Sequence, residues 1–422
     1  MKLLSILLFV ATYMLLLLLP KYRTYISLTS AVLFIVTGIV PVNKVLSYID
    51  WNIILMIAGT MGIVNLFIES KMPALMADII IDRVSSIKWV IISLAAFAGI
   101  VSAFIDNVAT VLIIAPVALD VAKKLNISPV YMIIAISISS NLQGAATLVG
   151  DTTSLLLGGY AKMDFMDFFF FKGRLGLFWI VEIGAAVSLI VLYIFFKNYD
   201  IPVHLEEKQR VEDYFPTYLL VSMVILLIFA SFIPNKPSIT NGLICISLLV
   251  IGLIKEILID KNNHALNNTL LQIDYETILL LMGLFVVVAG LSETGVIDDI
   301  SSLFLRFGKG NLFLIYTILV WFSVLISAFV DNIPYTATML PVVAKIAKGM
   351  NISPYILFFG LLIGATLGGN ITPIGASANI TALGILRKEG YDVKAREFMK
   401  LSLPFTLSAV LTGYILNWLI WR

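Results

Sequence analysis

Apolar runs long enough to cross a lipid bilayer recur along this chain, and they decide its class. Residues 3–19, 177–196, 218–233 and 398–420 approach or reach the ~20 apolar residues that a membrane-spanning helix needs. The sequence is 60% hydrophobic and only 13% charged, whereas roughly a quarter of the residues in a soluble domain are charged. Backbone groups in lipid must pair within their own segment, so the runs predict helices. We therefore expect an all-α integral membrane protein with the bilayer as its solvent.

The first run, 3–19, has the length of a secretory signal but not its ending. It stops at Pro20, followed by Lys21 and Arg23, instead of at a small-residue cleavage site, and a second apolar run follows at once. We interpret it as the first membrane span.

Few other residues suggest a metal or a nucleic-acid partner. A single cysteine, Cys245, allows neither an intramolecular disulfide nor a multi-thiolate metal site. The two histidines, His204 and His264, lie in polar stretches and are interpreted as solvated residues. A net charge of +2, spread along the chain, predicts no nucleic-acid partner. No cofactor is expected, apart from Na⁺ or H⁺ as a coupling ion.

An internal duplication is visible in the sequence. Residues 102–129 read SAFIDNVATVLIIAPVALDVAKKLNISP and residues 327–354 read SAFVDNIPYTATMLPVVAKIAKGMNISP, identical at 13 of 28 positions. The likeness continues in GAATLVG at 144–150 and GNITPIG at 369–375. Upstream, Ile49-Asp50-Trp51 matches Ile273-Asp274-Tyr275, and Gly59 and Glu69 match Gly283 and Glu293. Each half is therefore expected to contain the same elements in the same order.

The expected organisation is two repeats joined by a charged linker. The first repeat, 1–196, comprises scaffold helices over 1–88, a hairpin and a broken helix over 89–174, and a span over 175–196. The linker is 197–216. The second repeat, 217–422, comprises scaffold helices over 217–309, a hairpin and a broken helix over 310–386, and a span over 400–420. Five crossings and one re-entrant hairpin per repeat give about ten transmembrane helices, two hairpins and two broken helices. The odd number of crossings inverts the second copy.

The distribution of Lys and Arg predicts the orientation. The side richer in these residues should be cytoplasmic, which places the linker inside and both termini outside a cytoplasmic, or inner, membrane.

Carboxylates at the hairpin tips are the first candidates for function. Asp106-Asn107 and Asp331-Asn332 stand at equivalent turns, and ionisable groups at membrane depth are costly and usually functional. Each Asp could also cap the helix that follows, and the two roles are compatible. Asp151 is a further candidate, although its counterpart in the second repeat is Ala376.

The broken helices supply the other candidates. Glycines and a proline within 141–150 and 364–375 predict an opened backbone, whose N–H groups can bind an anion and whose carbonyls can ligate Na⁺. Close packing of small residues is the alternative interpretation. The predicted substrate- and ion-binding residues are Asp106, Asn107, Thr110, Thr147, Gly150, Asp151, Thr152, Ser154, Asp331, Asn332, Thr336, Asn370, Thr372, Gly375, Ser377 and Asn379.

Three glutamates are weaker candidates. Glu182 is expected to face an interface or to pair with a cation, and Glu69 and Glu293 to have structural roles at span ends. No Arg or Lys is expected at the site, so an anion would be held by helix ends and hydroxyl groups.

The paired hairpin and broken-helix motifs, together with GGNITPIGASANI and the IDW and IDY starts, resemble the ion transporter superfamily. The likeness is to its branch of arsenite permeases, Na⁺/H⁺ antiporters and citrate transporters, and it covers nearly the whole chain. It implies a homodimer with a scaffold and a mobile transport domain that moves in an elevator-like manner. It also implies Na⁺ bound near Asn107, Thr147, Asn332 and Thr372. Relatives carry Ser-Asn-Thr at the tips, whereas Asp-Asn stands here, which favours a carboxylate that exchanges H⁺.

The function expected from the sequence is secondary active transport of a small anion, a carboxylate or a metalloid oxyacid, coupled to H⁺ or Na⁺. The alternatives are a Na⁺/H⁺ antiporter and, from another class, an ion channel. An enzyme is not expected, because the sequence contains no His-Glu metal motif and no usable cysteine. It also has no phosphate-binding loop of the G-x-x-x-x-G-K type, so we do not expect ATP to drive transport directly.

Overall fold

The computed structural model describes residues 1–202, 210–211, 213–258 and 269–422. His204 and His264 lie outside the described residues. The helices of the first half are α1 (Lys2–Leu18), α2 (Arg23–Val36), α3 (Val45–Tyr48), α4 (Trp51–Glu69), α5 (Met72–Ile81), α6 (Ile87–Ser102), α7 (Asn107–Lys124), α8 (Val130–Gly144), α9 (Thr152–Ala161) and α10 (Leu177–Phe195).

The second half repeats this order. Its described helices are α11 (Phe215–Ser231), α12 (Thr240–Leu258), α13 (Tyr275–Glu293), α14 (Val296–Gly308), α15 (Leu312–Ser327), α16 (Asn332–Gly349), α17 (Tyr355–Leu362), α18 (Ser377–Lys388) and α19 (Ala395–Trp421). A π-helical turn, Ile363–Leu367, continues α17. Short 3₁₀ helices occupy Pro20–Tyr22, Val42–Lys44 and Phe165–Phe168, and strand β1 (Phe170–Phe171) pairs antiparallel with β2 (Arg174–Leu175).

Several helices have the length and composition of membrane spans, which confirms the predicted all-α membrane class. Within the described ranges, α4, α10, α12, α13 and α19 are each long and apolar enough to cross a bilayer alone. Large apolar side chains on the outer helices face away from the protein, including Leu3 in α1, Ile194 in α10 and Phe229 in α11. An outer surface of this kind is matched to lipid, because soluble proteins rarely expose contiguous apolar surface.

The second apolar run forms a helix of 14 residues, which is shorter than a full membrane span. Helix α2 stops at Val36, and Gly38 follows with a positive φ of 73°. Glycine adopts this left-handed conformation without a steric penalty, so it ends the helix there. The helix axis turns by 115° between α1 and α2, so the two helices do not form one continuous span.

The scaffold is held together by the same contact in both repeats. Helix α2 packs against α13, and α4 packs against α12. A Cβ added to Gly283 would lie 2.7 Å from the backbone carbon of Ser27, and one added to Gly59 would lie 2.5 Å from that of Cys245. Because glycine has no side chain, it allows the helix backbones to approach this closely.

Both predicted hairpins form helix–turn–helix units of matching size. Helices α6 and α7 join through residues 103–106, and α15 and α16 join through 328–331. A proline lies inside the second arm of each, Pro116 and Pro341. The predicted broken helices also form, with breaks at 145–151 and 368–376.

The linker, 197–216, is described only in part, because residues 203–209 and 212 lie outside the described ranges. Its first residues run back along the start of α6, where the amide of Ile87 donates to the carbonyl of Ile201. Near its end, Lys255 pairs with Asp213 at 2.6 Å. The domain boundaries and the orientation remain predictions.

Candidate functional site

Both hairpin tips place an aspartate at the start of the second arm. One carboxylate oxygen of Asp106 accepts hydrogen bonds from the amides of Val108 (2.9 Å) and Ala109 (3.2 Å). Asp331 accepts from the amide of Ile333 at 3.0 Å. Both residues are therefore N-caps, which satisfy amides that the helix leaves unpaired. The capping role proposed from the sequence is real, and it leaves each carboxylate partly exposed at the tip.

The break in each broken helix is fastened to the turn of its own hairpin. The hydroxyl of Thr147 donates to the carbonyl of Ala103, and that of Thr372 donates to the carbonyl of Ala328. Because the same bond forms 225 positions later, the two repeats share this architecture in detail. The sequence predicts these two threonines near Na⁺. In the structure, both donate their hydroxyl protons to the hairpin backbone.

Gly150 and Gly375 lie at the same contact. A Cβ added to Gly150 would lie 2.6 Å from the carbonyl oxygens of both Gly144 and Ser102. Gly375 has the equivalent surroundings. The space beside each glycine is therefore filled by backbone, and the close-packing interpretation describes both positions.

A network of buried polar side chains joins the two repeats at the centre of the molecule. Asp151, only 4% exposed, accepts from the hydroxyl of Thr153 at 2.7 Å and from the amide of Asn332 at 3.4 Å. Thr153 and Thr366 form a further bond of 2.7 Å. The carboxylate of one broken helix thus contacts the tip of the opposite hairpin.

The network continues to the first tip. The amide of Asn107 donates to Asn141 at 3.0 Å, and the amide of Asn141 donates to the carbonyl of Thr366 at 2.9 Å. The asparagines beside both tip carboxylates are therefore oriented by buried partners. A hydrogen-bonded polar network of this kind is rigid, so it can form one wall of a binding site.

A cavity of about 540 Å³ lies against this network, between the two hairpin tips and the scaffold. This volume is in the range of small-molecule sites. Among the predicted residues, Asp106, Asn107, Asp151, Thr152, Asp331, Asn332 and Ser377 line it. The remaining lining residues are Leu16, Leu17, Pro20, Lys21, Arg23, Met61, Val108, Asp274, Glu276, Thr277, Leu280, Phe329, Val330, Ile333, Pro334, Ile374, Ile380 and Thr381.

The expectation that no Arg or Lys lies at the site was wrong. Arg23 and Lys21 line the cavity, and the guanidinium of Arg23 donates to Asp331 at 2.8 Å. The reason is tertiary: the turn between α1 and α2 folds back over the second hairpin tip, 308 positions away. An anion in this cavity would therefore meet full positive charges as well as helix ends.

The other predicted residues lie behind the cavity wall. Thr110 donates to the backbone of Asp106, Asn379 donates to the carbonyls of Gly369 and Thr372, and Asn370 donates to Ile138. Ser154 and Thr336 are buried, and their hydroxyls have no hydrogen-bond partner among the described residues. An unpaired buried hydroxyl costs free energy, so these two remain candidates for an ion or a water.

The glutamates have structural partners. Glu182 accepts from the amide of Gln143 at 2.6 Å, so its partner is an amide instead of a cation. Glu293 accepts from the hydroxyl of Tyr48 at 2.5 Å and lies 3.8 Å from Lys44. This agrees with the structural role predicted for a residue at the end of a span.

Sequence reasoning missed the scaffold side of the cavity. Asp274 and Glu276, at the start of α13, line the cavity opposite the tips. Asp274 also caps α13 through the amide of Thr277 at 2.9 Å. The signal for Asp274 was present, since it stands in the repeated Ile-Asp-Tyr start, but a cap at a helix start gives no indication of a cavity beside it.

A sequence profile described as the citrate transporter family matches residues 13–364 and again 265–422. The chain belongs to the citrate transporter family. This confirms the branch that the paired motifs resemble. An uncharacterized transporter of Mycobacterium bovis is 31% identical over 440 residues, covering 99% of this chain and 98% of its own.

Two solved structures share the fold of this citrate transporter family member. The Alcanivorax borkumensis YdaH transporter superimposes with a TM-score of 0.60 at 13% identity, covering 89% of this chain and 86% of its own. Neisseria gonorrhoeae MtrF, described as one of a class of antimetabolite efflux pumps, gives a TM-score of 0.58 at 14% identity, covering 92% and 83%. At these identities the likeness concerns the fold alone.

Proposed function

We propose that this transporter is a secondary active carrier that moves a small carboxylate anion across the cytoplasmic membrane together with H⁺ or Na⁺. The supporting observation is the cavity between the two hairpin tips. Its lining includes two positively charged side chains, Lys21 and Arg23, to which an anion can bind. Beside them lie carboxylates that can take up a coupling cation. Guanidinium groups are well matched to carboxylates, which they bind through paired hydrogen bonds.

The charge balance of the cavity favours cation coupling. Its lining contains five acidic side chains, Asp106, Asp151, Asp274, Glu276 and Asp331, against the two basic ones. An unaccompanied anion would be repelled, because charges in a site shielded from water interact strongly. Uptake of H⁺ or Na⁺ by the carboxylates removes this repulsion, so anion and cation enter together.

A second cavity supports alternating access. It has about 380 Å³ and lies against the start of α4, at Asp50 and Ile53, and against Gly159 in α9. The repeat relates Asp50 to Asp274 and Gly159 to Gly384 in α18, the helix that also lines the larger cavity through Ser377. The two cavities therefore use equivalent parts of opposite repeats, as expected for a transport domain that moves past a scaffold in an elevator-like manner.

The deciding experiment is uptake of radiolabelled citrate into proteoliposomes. A H⁺ gradient and a Na⁺ gradient are imposed separately, with empty liposomes as the control. Accumulation above equilibrium under one gradient identifies the coupling ion. Absence of citrate uptake under both gradients, in protein that elutes as a single species, would exclude this substrate class.

The acidic lining also favours a second candidate, a Na⁺/H⁺ antiporter with Asp106 and Asp331 as the exchange carboxylates. Counterflow separates the two. Liposomes preloaded with unlabelled citrate should draw in labelled citrate if citrate is the substrate. An antiporter should instead change the internal pH when Na⁺ is added, with or without citrate.

A further inference from the structure

The Arg23–Asp331 ion pair joins the scaffold to a hairpin tip inside the cavity. Arg23 is the first residue of α2, and the two side chains are 22% and 26% exposed. They are thus shielded by protein and still open to the cavity. A ligand there can reach both groups.

Within the described ranges, a pair of this kind is present at only one of the two equivalent tips. Ser27 in α2 and Cys245 in α12 occupy the same place, each against a glycine of the opposite repeat. Four residues before Ser27 stands Arg23, and four residues before Cys245 stands Asn241. Asn241 donates to Asp164 at 3.3 Å instead of to a tip.

Asp106 shows that capping does not need the cation. It caps α7 through two amides, and among the described residues no Lys or Arg forms an ion pair with it. The position of Arg23 is also unfavourable for its own helix, since a cation at a helix N-terminus opposes the macrodipole. Neither capping of α16 nor stability of α2 therefore accounts for this arginine.

The hydrogen bonds leave much of the guanidinium available. Only one terminal nitrogen of Arg23, Nη1, donates to Asp331, and no other hydrogen bond of this side chain occurs within the described ranges. A guanidinium has five N–H donors in a planar fork that fits a carboxylate. An incoming carboxylate can approach through the free N–H donors, and it gains the full fork once Asp331 has released Nη1.

We propose that Arg23 binds a carboxylate group of the transported anion, and that Asp331 and this carboxylate compete for it. The inference rests on the proposed function and adds to it the residue that holds the anion. When Asp331 is ionised it occupies Arg23, and the anion binds weakly. When Asp331 takes up a proton on its carboxylate it releases Arg23, and the anion binds in its place. Anion and proton are then bound together, which is the condition for symport.

Other charged groups face the same space. Lys21 lies in the same turn as Arg23, Asp274 and Glu276 project from the start of α13, and Asp106 and Asp151 lie on the first tip and the first broken helix. Asp151 accepts a hydrogen bond of 3.4 Å from Asn332, the residue next to Asp331. Each contributes to the field at Arg23, so the test must separate direct competition from general repulsion.

The test is a double-mutant cycle on citrate binding, measured as the Kd of radiolabelled citrate for the purified full-length protein from acid to alkaline pH. Asp331→Asn keeps a capping side chain and frees Arg23 at every pH. Its Kd should match the wild type at acid pH and be at least about tenfold lower than the wild type at alkaline pH. Comparison at each pH cancels the titration of citrate itself.

The Arg23 variants complete the cycle. Arg23→Gln should weaken binding about tenfold or more relative to Asp331→Asn, and Arg23→Lys should be intermediate because it keeps the charge and loses the fork. Adding Asp331→Asn to Arg23→Gln should then lower Kd much less than Asp331→Asn lowers it in the wild type, whereas general repulsion alone would lower Kd equally in both backgrounds. Lys2→Gln, which breaks the exposed Lys2–Asp299 pair, is the control and should bind like the wild type.

Two results overturn the inference alone while the wild type still binds citrate. One is an unchanged Kd in Arg23→Gln, and the other is an equal gain from Asp331→Asn in both backgrounds. If the wild type binds no citrate at any pH, the proposed substrate class fails, and this inference fails with it.

Discussion

Replacing Gly375 by alanine tests the close backbone contact between the second broken helix and its hairpin turn. The new Cβ would lie 2.5 Å from the carbonyl oxygen of Gly369 and 2.6 Å from that of Ser327. Both atoms belong to the backbone, so neither can rotate away as a flexible side chain would. Overpacking of this kind costs about 1–3 kcal/mol of unfolding free energy. Gly150→Ala, in the equivalent position, should lose a similar amount.

Gly384→Ala is the matched control. Gly384 lies in α18, a few residues further along the same broken helix, and an added Cβ would meet nothing within 4 Å. Alanine should stabilise the helix there by about 1 kcal/mol. The two variants should therefore differ by about 2–4 kcal/mol, with Gly375→Ala the less stable.

Thermal unfolding of the purified variants, followed by size-exclusion chromatography with fluorescence detection, measures the order of their midpoints. We expect Gly375→Ala below the wild type and Gly384→Ala at or above it. If Gly375→Ala were as stable as Gly384→Ala, the hairpin turn could not lie against the break as described. The explanation of both glycines as close-packing residues would then be wrong.

Three further predictions concern coupling, capping and topology. Asp106→Asn should still exchange citrate in counterflow but lose accumulation against a gradient, because it keeps the cap and removes the titratable charge; retained accumulation would restrict Asp106 to capping. Asp274→Ala should lower the unfolding free energy by about 1 kcal/mol, because the amide of Thr277 loses its acceptor; an unchanged midpoint in thermal unfolding would contradict this. Single cysteines at Glu207 and Arg422, introduced with Cys245 buried, should react with an impermeant maleimide from opposite sides of the membrane; labelling from one side would refute the odd number of crossings.

The sequence was most informative where local chemistry repeats. Aspartate is among the preferred helix N-cap residues, so Asp106 and Asp331 predicted the starts of α7 and α16 without knowledge of the fold. Clustered glycines predicted the breaks for a similar reason, since backbone preference is local. The π-helical turn Ile363–Leu367 was not predicted, because it depends on packing around it and has no signature in its own residues.

Seven of the sixteen predicted binding residues line the cavity, and Thr147 and Thr372 are among those that do not. Thr147 and Thr372 are small polar residues beside a helix break. Such residues are equally expected as ion ligands and as hydrogen-bond donors that hold the break in place. The structure pairs both with a hairpin carbonyl. Most buried hydroxyls find a hydrogen-bond acceptor, and at these two breaks the acceptor is supplied by a turn 44 residues away. Sequence spacing contains no information about which acceptor is nearest.

Arg23 was missed for a reason that also bears on the role proposed for it. The repeat draws attention to positions that both halves share, whereas Arg23 has Asn241 as its counterpart. Two identical tips would bind a symmetric pair of ligands, and a carrier that couples an anion to a cation needs two unlike ones. The carboxylate of Asp106, which forms no ion pair within the described residues, can attract a cation, while Arg23 beside Asp331 can provide a positive partner for an anion. The position at which the two repeats differ, Arg23 in one and Asn241 in the other, is therefore where a difference in function between the two tips should be sought.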